Sequence, residues 1–189
     1  MIPKYTRLQR VQRDIPADFI DAGVWKSNLR QLAQQYADDH GIECRDIRAR
    51  EVGMTEAEPN PADIELDVLT YEVCGGTEHF ISVEDTVQDI LIGFCRLRFP
   101  NDPVRRELQD AAIVRELHVY GSEAGIGQTA GEAAWQHQGY GRRLLERAEE
   151  LAVDAGFDKL SVISGIGVRE YYREKLGYTQ DGPYVSTWL

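Results

Sequence analysis

Between Ile64 and Tyr120 the chain keeps a two-residue period through four consecutive apolar stretches, with no helical stretch between them. Alternation sends successive side chains to opposite faces, so each stretch reads as a strand. Ile64, Leu66, Val68, Tyr71 and Val73 mark the first, which ends at Cys74-Gly75-Gly76. His79–Val83 gives a second after that Gly-Gly turn. Asp89–Phe99 gives a third, in which Ile90, Ile92 and Phe94 oppose Leu91, Cys95 and Leu97; Asn101-Asp102-Pro103 breaks it. Ala111–Tyr120 is the fourth. Consecutive strands with short connections fold as an antiparallel meander.

Beyond the meander the pattern changes. Gly121–Ala134 is rich in small residues and lacks a period, which predicts a loop and a candidate lid. Then comes Trp135-Gln136-His137-Gln138-Gly139-Tyr140-Gly141-Arg142-Arg143-Leu144-Leu145, two glycines one residue apart at the head of a helical run. Glycine allows close backbone approach to a ligand. A helix start adds unpaired N–H groups and a partial positive charge, so the two together suit phosphate oxygens. Leu144, Leu145, Ala148, Leu151 and Ala152 form the buried stripe of that helix, expected over 140–155 and stopped by Gly156. Lys159–Ser164 reads as a strand, Val168–Leu176 as a helix ended by Gly177, and Tyr178 and Tyr184–Leu189 as closing strand segments.

The chain has 189 residues and 42% hydrophobic content, enough for one domain and an extension. Its apolar runs are far shorter than the roughly 20 residues that span a bilayer. No signal peptide is legible, and three scattered cysteines argue against a disulfide framework, so the expected location is the cytoplasm. A net charge of −11 disfavours a protein that coats nucleic acid over its whole surface. Residues 1–13 are the exception: Lys4, Arg7, Arg10 and Arg13 occur there with no acid. The last three recur every third residue, which suits either a solvated arm or a strip that contacts RNA phosphates. Residues 27–40 read as a helix with Ser27 as N-cap, an apolar stripe of Leu29, Leu32, Ala33 and Tyr36, and a stop at Gly41.

Gln136-x-x-Gly139-x-Gly141 at a helix start resembles the pyrophosphate loop of acetyl-CoA-dependent acetyltransferases of the GNAT superfamily, and the order of elements around it is the GNAT layout. Arg173-Glu174-Lys175-Leu176-Gly177-Tyr178 resembles the end of that fold's last helix. Further segments narrow the likeness: Val11–Pro16, Arg48–Gly53, Arg115–Gly121, Ser161–Gly165 leading to Tyr171-Tyr172, and Gly182-Pro183-Tyr184. Together they resemble the radical S-adenosylmethionine tRNA wobble-uridine acetyltransferases of the Elongator type, across essentially the whole chain.

The resemblance implies an α+β fold with a mostly antiparallel sheet flanked by helices. Residues 1–60 would be the tail of a radical domain and a linker, and residues 61–189 the acetyltransferase domain. Glu116, Leu117, His118 and Val119 would line the acetyl-CoA site. Tyr140, Gly141 and Arg142 would hold the pyrophosphate, with Gln136, Gln138 and Gly139 shaping the loop. Tyr172 would sit by the thioester sulfur and protonate the departing thiolate. Glu116 and His118 share a face of their strand and belong in the cleft, as an acid–base pair, as tRNA contacts or as a polar pair at the strand edge. Lys4, Arg7, Arg10 and Arg13 would contact tRNA.

Two features depart from the family. Its 4Fe–4S cluster needs three closely spaced cysteines, whereas Cys44, Cys74 and Cys95 are widely separated. The cluster and S-adenosylmethionine are therefore expected only in a radical domain outside this chain, which alone would bind acetyl-CoA with little or no tRNA modification. Some relatives carry linker cysteines that suit zinc; here Cys44 is present, but Asp46 and Ala49 stand where others are expected, so no metal site is assigned. Two other functions remain open from the residues: a free-standing N-acetyltransferase for protein lysine or a small amine, with Glu116 as base, and a non-catalytic tRNA- or subunit-binding module. A homodimer is also left open.

Overall fold

A computed structural model describes residues 2–9, 17–23, 25–26, 28–55, 57–121 and 139–189. Its centre is a seven-stranded sheet. The meander forms as the sequence predicts: β1 (Ile64–Val73), β2 (Gly76–Asp85), β3 (Ile90–Pro100) and β4 (Ala111–Val119) pair antiparallel in order. β5 (Lys159–Val162) runs parallel to β4; β7 (Tyr184–Trp188) is antiparallel to β5, and β6 (Thr179–Asp181) closes the edge. The sheet order is β1-β2-β3-β4-β5-β7-β6. The first hairpin depends on Gly76, where an added Cβ would lie 2.1 Å from the Phe99 carbonyl oxygen.

One face of the sheet is covered by the main helix, which runs from Tyr140 to Asp154; Leu144, Leu145, Ala148 and Ala152 are buried against it, as the stripe requires. Burying each leucine contributes about 2 kcal/mol. Two smaller helices precede it, so the helices are α1 (Leu29–Asp39), α2 (Ile47–Arg50) and α3 (Tyr140–Asp154).

The opposite face is covered by the N-terminal arm. Tyr5 stacks on Tyr71 with ring centroids 3.8 Å apart, and Arg96 donates to the Tyr5 carbonyl. Ile47 N–H donates to Thr6 C=O at 2.9 Å, and Val52 N–H to Leu91 C=O at 2.9 Å. Ile47 and Val52 are buried in the core. Ile47 and Val52, which fall in the stretch assigned to the linker from sequence, therefore pack into the core. Three arginines around those two apolar residues mask the burial in the sequence.

Two helix expectations change. The α1 stripe exists, but no α1 residue is buried, and Tyr36 is 60% exposed. Asn28 precedes the helix, and Ser27, the expected N-cap, lies outside the described residues. The expected helix over 168–176 forms with altered winding: a 3₁₀ turn, Ile166–Val168, leads into helical backbone over 169–176 whose central residues, Tyr171–Lys175, take the wider π-type turn. Tyr178 N–H closes back on the Tyr172 carbonyl at 3.0 Å, and Gly177 reverses the chain at φ 77°. That wide turn buries Tyr172 and leaves Tyr171 outside. Among the described residues no helix is long and apolar enough to cross a membrane.

Candidate functional site

The site begins where two strands part. β4 and β5 pair only from Ala111↔Lys159 to Val114↔Val162, and Ile163 N–H to Val114 C=O, at 2.9 Å, is the last bond between them. Immediately beyond, β4 bulges: Leu97 faces Val114 but Arg96 faces Glu116, which leaves Arg115 as the extra residue. A bulge bends its strand. β4 then stays with β3, and Tyr120 N–H donates to Ile92 C=O at 2.8 Å, while β5 has ended. A wedge opens between them.

Antiparallel pairing alternates its direction of hydrogen bonding. Tyr120, His118 and Glu116 direct their backbone groups to β3, so Leu117 and Val119 turn theirs into the wedge. β4 therefore has a backbone edge not paired with β3 at these two residues.

α3 starts beside this edge. Gly139 is its N-cap in the left-handed region, φ 77° and ψ 7°, and its carbonyl accepts from Arg142 and Arg143 N–H, each at 3.1 Å. A Cβ built at Gly141 would meet nothing closer than Val119 Cγ2 at 3.6 Å, so the first turn of α3 and the end of β4 are neighbours. The first turn holds no acid, and Arg142 and Arg143 are exposed. Arg142 pairs with Glu146 at 3.0 Å, and the Arg143 guanidinium sits 5.5 Å from the Tyr140 ring centroid. This end of the helix suits an anion. Gln136 and Gln138 lie outside the described residues, as does 122–134 of the candidate lid.

Tyr172 is buried in the core. Its ring meets Tyr178 at 5.7 Å and Tyr171 at 5.8 Å. Burial, with Cys95 and Tyr171 acting in the same direction, pushes its phenol up to about 12. Such a group stays protonated at neutral pH and can donate. The Cys95 thiol is buried beside it and also pushed up.

Glu116 and His118 share a face, as expected, but it is the arm's face rather than that of α3. Glu116 Oε2 accepts from Arg96 Nε at 3.0 Å. The His118 ring lies 4.5 Å from Tyr120 and 6.2 Å from Phe94; its partial burial and then Arg7 lower its pKa, so it is held neutral. Tyr120 Oη and Glu51 Oε2 are buried nearby, and Arg7 Nη2 lies 3.6 Å from that Glu51 oxygen. Sequence reading gave neither a role, although both lie in segments that carry the resemblance.

The basic arm has a structural occupation. Lys4 Nζ pairs with Asp67 at 2.6 Å and Glu84 at 3.0 Å, and so is not a free cation for RNA. Arg7 lies 3.6 Å from Glu51 and over the Tyr120 ring. Arg10 and Arg13 lie outside the described residues. A zinc clip does not fit the linker: Cys44 Sγ donates to Asp46 Oδ1 at 3.3 Å, Asp46 is saturated by four donors, and the described residues hold no group of three or more metal-ligating side chains.

Comparison with known proteins identifies the family and the fold. A family model described as the acetyltransferase (GNAT) family matches residues 51–178. Over 195 residues the chain is 50% identical to Elongator complex protein 3 of Schizosaccharomyces pombe, covering 100% of this chain and 36% of that protein. It is 49% identical to the tRNA uridine(34) acetyltransferase of Methanocaldococcus jannaschii, with the same coverage. The structure of Methanocaldococcus infernus Elp3 with an N-terminal deletion superposes with a TM-score of 0.91 at 48% identity, over 100% of this chain and 46% of that one. The chain thus spans about a third of the length of the curated relatives it matches.

Proposed function

The chain belongs to the GNAT acetyltransferase family, and from that premise we propose that it binds acetyl-CoA in the β4–β5 wedge as the acetyltransferase part of a tRNA wobble-uridine-modifying enzyme of the cytoplasm. One observation carries the reading: the open backbone edge of Leu117 and Val119 ends against the first turn of α3. Leu117 and Val119 pair with the pantetheine amides. Gly139, Tyr140, Gly141 and Arg142 hold the pyrophosphate, with Gln136 and Gln138 shaping the loop before them. As a nucleophile, water or an acceptor group, bonds to the acyl carbon and the C–S bond breaks, Tyr172 hands its phenol proton to the departing thiolate; the proton the nucleophile loses restores the phenol through solvent.

tRNA is the partner that the relatives' names support. Arg7, Arg10 and Arg13 are the arm residues proposed to reach its phosphates; Lys4 is withdrawn from that set. Residues 1–60 carry the link to a radical domain, supplied in cis or in trans, which holds the iron–sulfur cluster and S-adenosylmethionine. Glu116 and His118 line the approach from the arm's side, without an assigned proton transfer. The alternative of a lysine or small-amine acetyltransferase needs Glu116 as a free base, and its bond to Arg96 weighs against that.

Calorimetric titration with acetyl-CoA tests the assignment. Binding is expected for the wild-type chain and lost in Gly141→Trp, at a position where an added Cβ meets only Val119 Cγ2, at 3.6 Å. No heat with the wild type, or equal binding by the variant, overturns it.

A further inference from the structure

Ser164 has no task in the proposed binding of acetyl-CoA, yet its hydroxyl is buried and has no hydrogen-bond partner among the described residues. Buried polar groups are nearly always paired, so an orphaned one calls for an explanation. Its position supplies one. β5 ends at Val162, opposite Val114. Two residues further on, Ser164 lies level with Glu116, just past the bulge, where the wedge has opened.

Its direction follows from alternation. Val162 shares a face with Val114, Val114 with Leu97, and Leu97 with Cys95 two residues earlier. Cys95 is the thiol beside Tyr172. Ser161 points the other way, its Oγ 2.9 Å from that of Ser186, and Ile163 is exposed. Ser164 therefore turns its hydroxyl to the face that holds Tyr172. Tyr172 belongs to the same buried cluster as Cys95 and Val162.

The pyrophosphate end lies at Val119 and Gly141, so a ligand lying along β4 brings its far end to the level of Glu116 and Ser164. We infer that Ser164 reads the acyl end of the bound thioester, its hydroxyl donating to the acyl carbonyl oxygen. That bond distinguishes an acyl-CoA from free CoA, which has no such acceptor. The inference rests on the acetyl-CoA reading and adds a specificity-determining residue to it.

Titration of the chain and of Ser164→Ala with acetyl-CoA and, separately, with CoA tests it. Loss of one neutral hydrogen bond should weaken acetyl-CoA about 3- to 10-fold and leave CoA unchanged. Ser164→Thr, which keeps the hydroxyl, should retain the preference. The ligand-free alanine variant should melt no lower than wild type, since it loses an unpaired buried group. Equal weakening of both ligands, no change in either, or a lower melting temperature overturns the inference. If wild type binds neither ligand, the acetyl-CoA reading itself falls; if it binds both and Ser164→Ala matches it, only Ser164's role does.

Discussion

The Tyr178 phenol donates to Glu149 Oε1 at 2.7 Å, tying the segment behind Tyr172 to the middle of α3. Tyr178 also donates its N–H to the Tyr172 carbonyl and packs its ring against the Tyr172 ring. One buried side chain therefore connects the helix proposed for the pyrophosphate to the residue proposed to protonate the thiolate. Tyr178→Phe should cost about 1.5–3 kcal/mol, the worth of a hydrogen bond to a charged acceptor. Glu149→Gln, which keeps an acceptor, should cost less. Urea unfolding checks both, and equal midpoints for wild type and Tyr178→Phe would show that the bond contributes nothing to stability.

The two loop glycines separate into a backbone role and a ligand role. Gly139 sits at φ 77°, where a side chain is strained even though no atom obstructs a Cβ. Gly139→Ala should therefore lose roughly 1–2 kcal/mol of stability as well as acetyl-CoA affinity. Gly141 is helical, so Gly141→Ala should leave stability unchanged or raise it slightly. Any fall in its acetyl-CoA affinity then reports crowding of the ligand. Melting curves and calorimetry on the same samples separate the effects; a destabilised Gly141→Ala would contradict the described contact with Val119.

Most of the sheet was legible from period and turn residues: β1 alternates along its length, while β2 and β3, buried on both faces, read as apolar runs bounded by turns. The α3 stripe and its Gly139–Gly141 start were legible for the same reason at helical period. The wedge was not, since it depends on where pairing between β4 and β5 stops and on a bulge at Arg115 that leaves no mark in composition. Lys4 illustrates the converse: four basic residues without an acid read as a free cationic strip, but the acids that neutralise Lys4, Asp67 and Glu84, lie far along the chain. Ion pairs of that separation are invisible to local patterns. The π-type turn at Tyr171–Lys175 was hidden too, because a wide turn and a regular helix share the same residues.

His79 sets a pH dependence. It is buried on β2, with Nδ1 2.8 Å from Thr70 Oγ1, its ring edge-on to Phe99, and Nε2 without a partner. Burial lowers its pKa below the ordinary 6.5. As pH falls through 6.5 the unfolded chain takes up a proton before the folded one does, so folding stability is lost. Above that value the contribution is full and constant. His118, also lowered, acts with the same sign. Melting temperature against pH should therefore fall less steeply on the acid side in His79→Phe than in wild type; identical slopes would exclude His79 as a source.

Asp46 is the joint between the arm and the sheet domain. It is fully buried, and it accepts from Leu8 N–H at 3.2 Å, Arg30 at 3.3 Å, Cys44 Sγ at 3.3 Å and Arg48 N–H at 3.3 Å, the last as N-cap of α2. Those donors come from the arm, α1, the turn before α2 and α2 itself. Asp46→Ala would leave two backbone N–H groups and part of a guanidinium unsatisfied, at a cost of about 3 kcal/mol. The loss should be local first. The arm is held by Tyr5 on Tyr71, by Lys4 and by the Thr6 carbonyl, so weakening its far end at Leu8 should let it peel from the sheet before α3 unfolds. Trypsin should then cut after Arg7 faster in Asp46→Ala than in wild type, at temperatures well below global melting. Asp46→Asn, which keeps an acceptor but loses the charge that holds Arg30, should fall between them. Equal cleavage rates in all three would mean that the arm is anchored elsewhere, and Arg50, which donates to the Lys4 carbonyl and pairs with Glu84, would be the next residue to test.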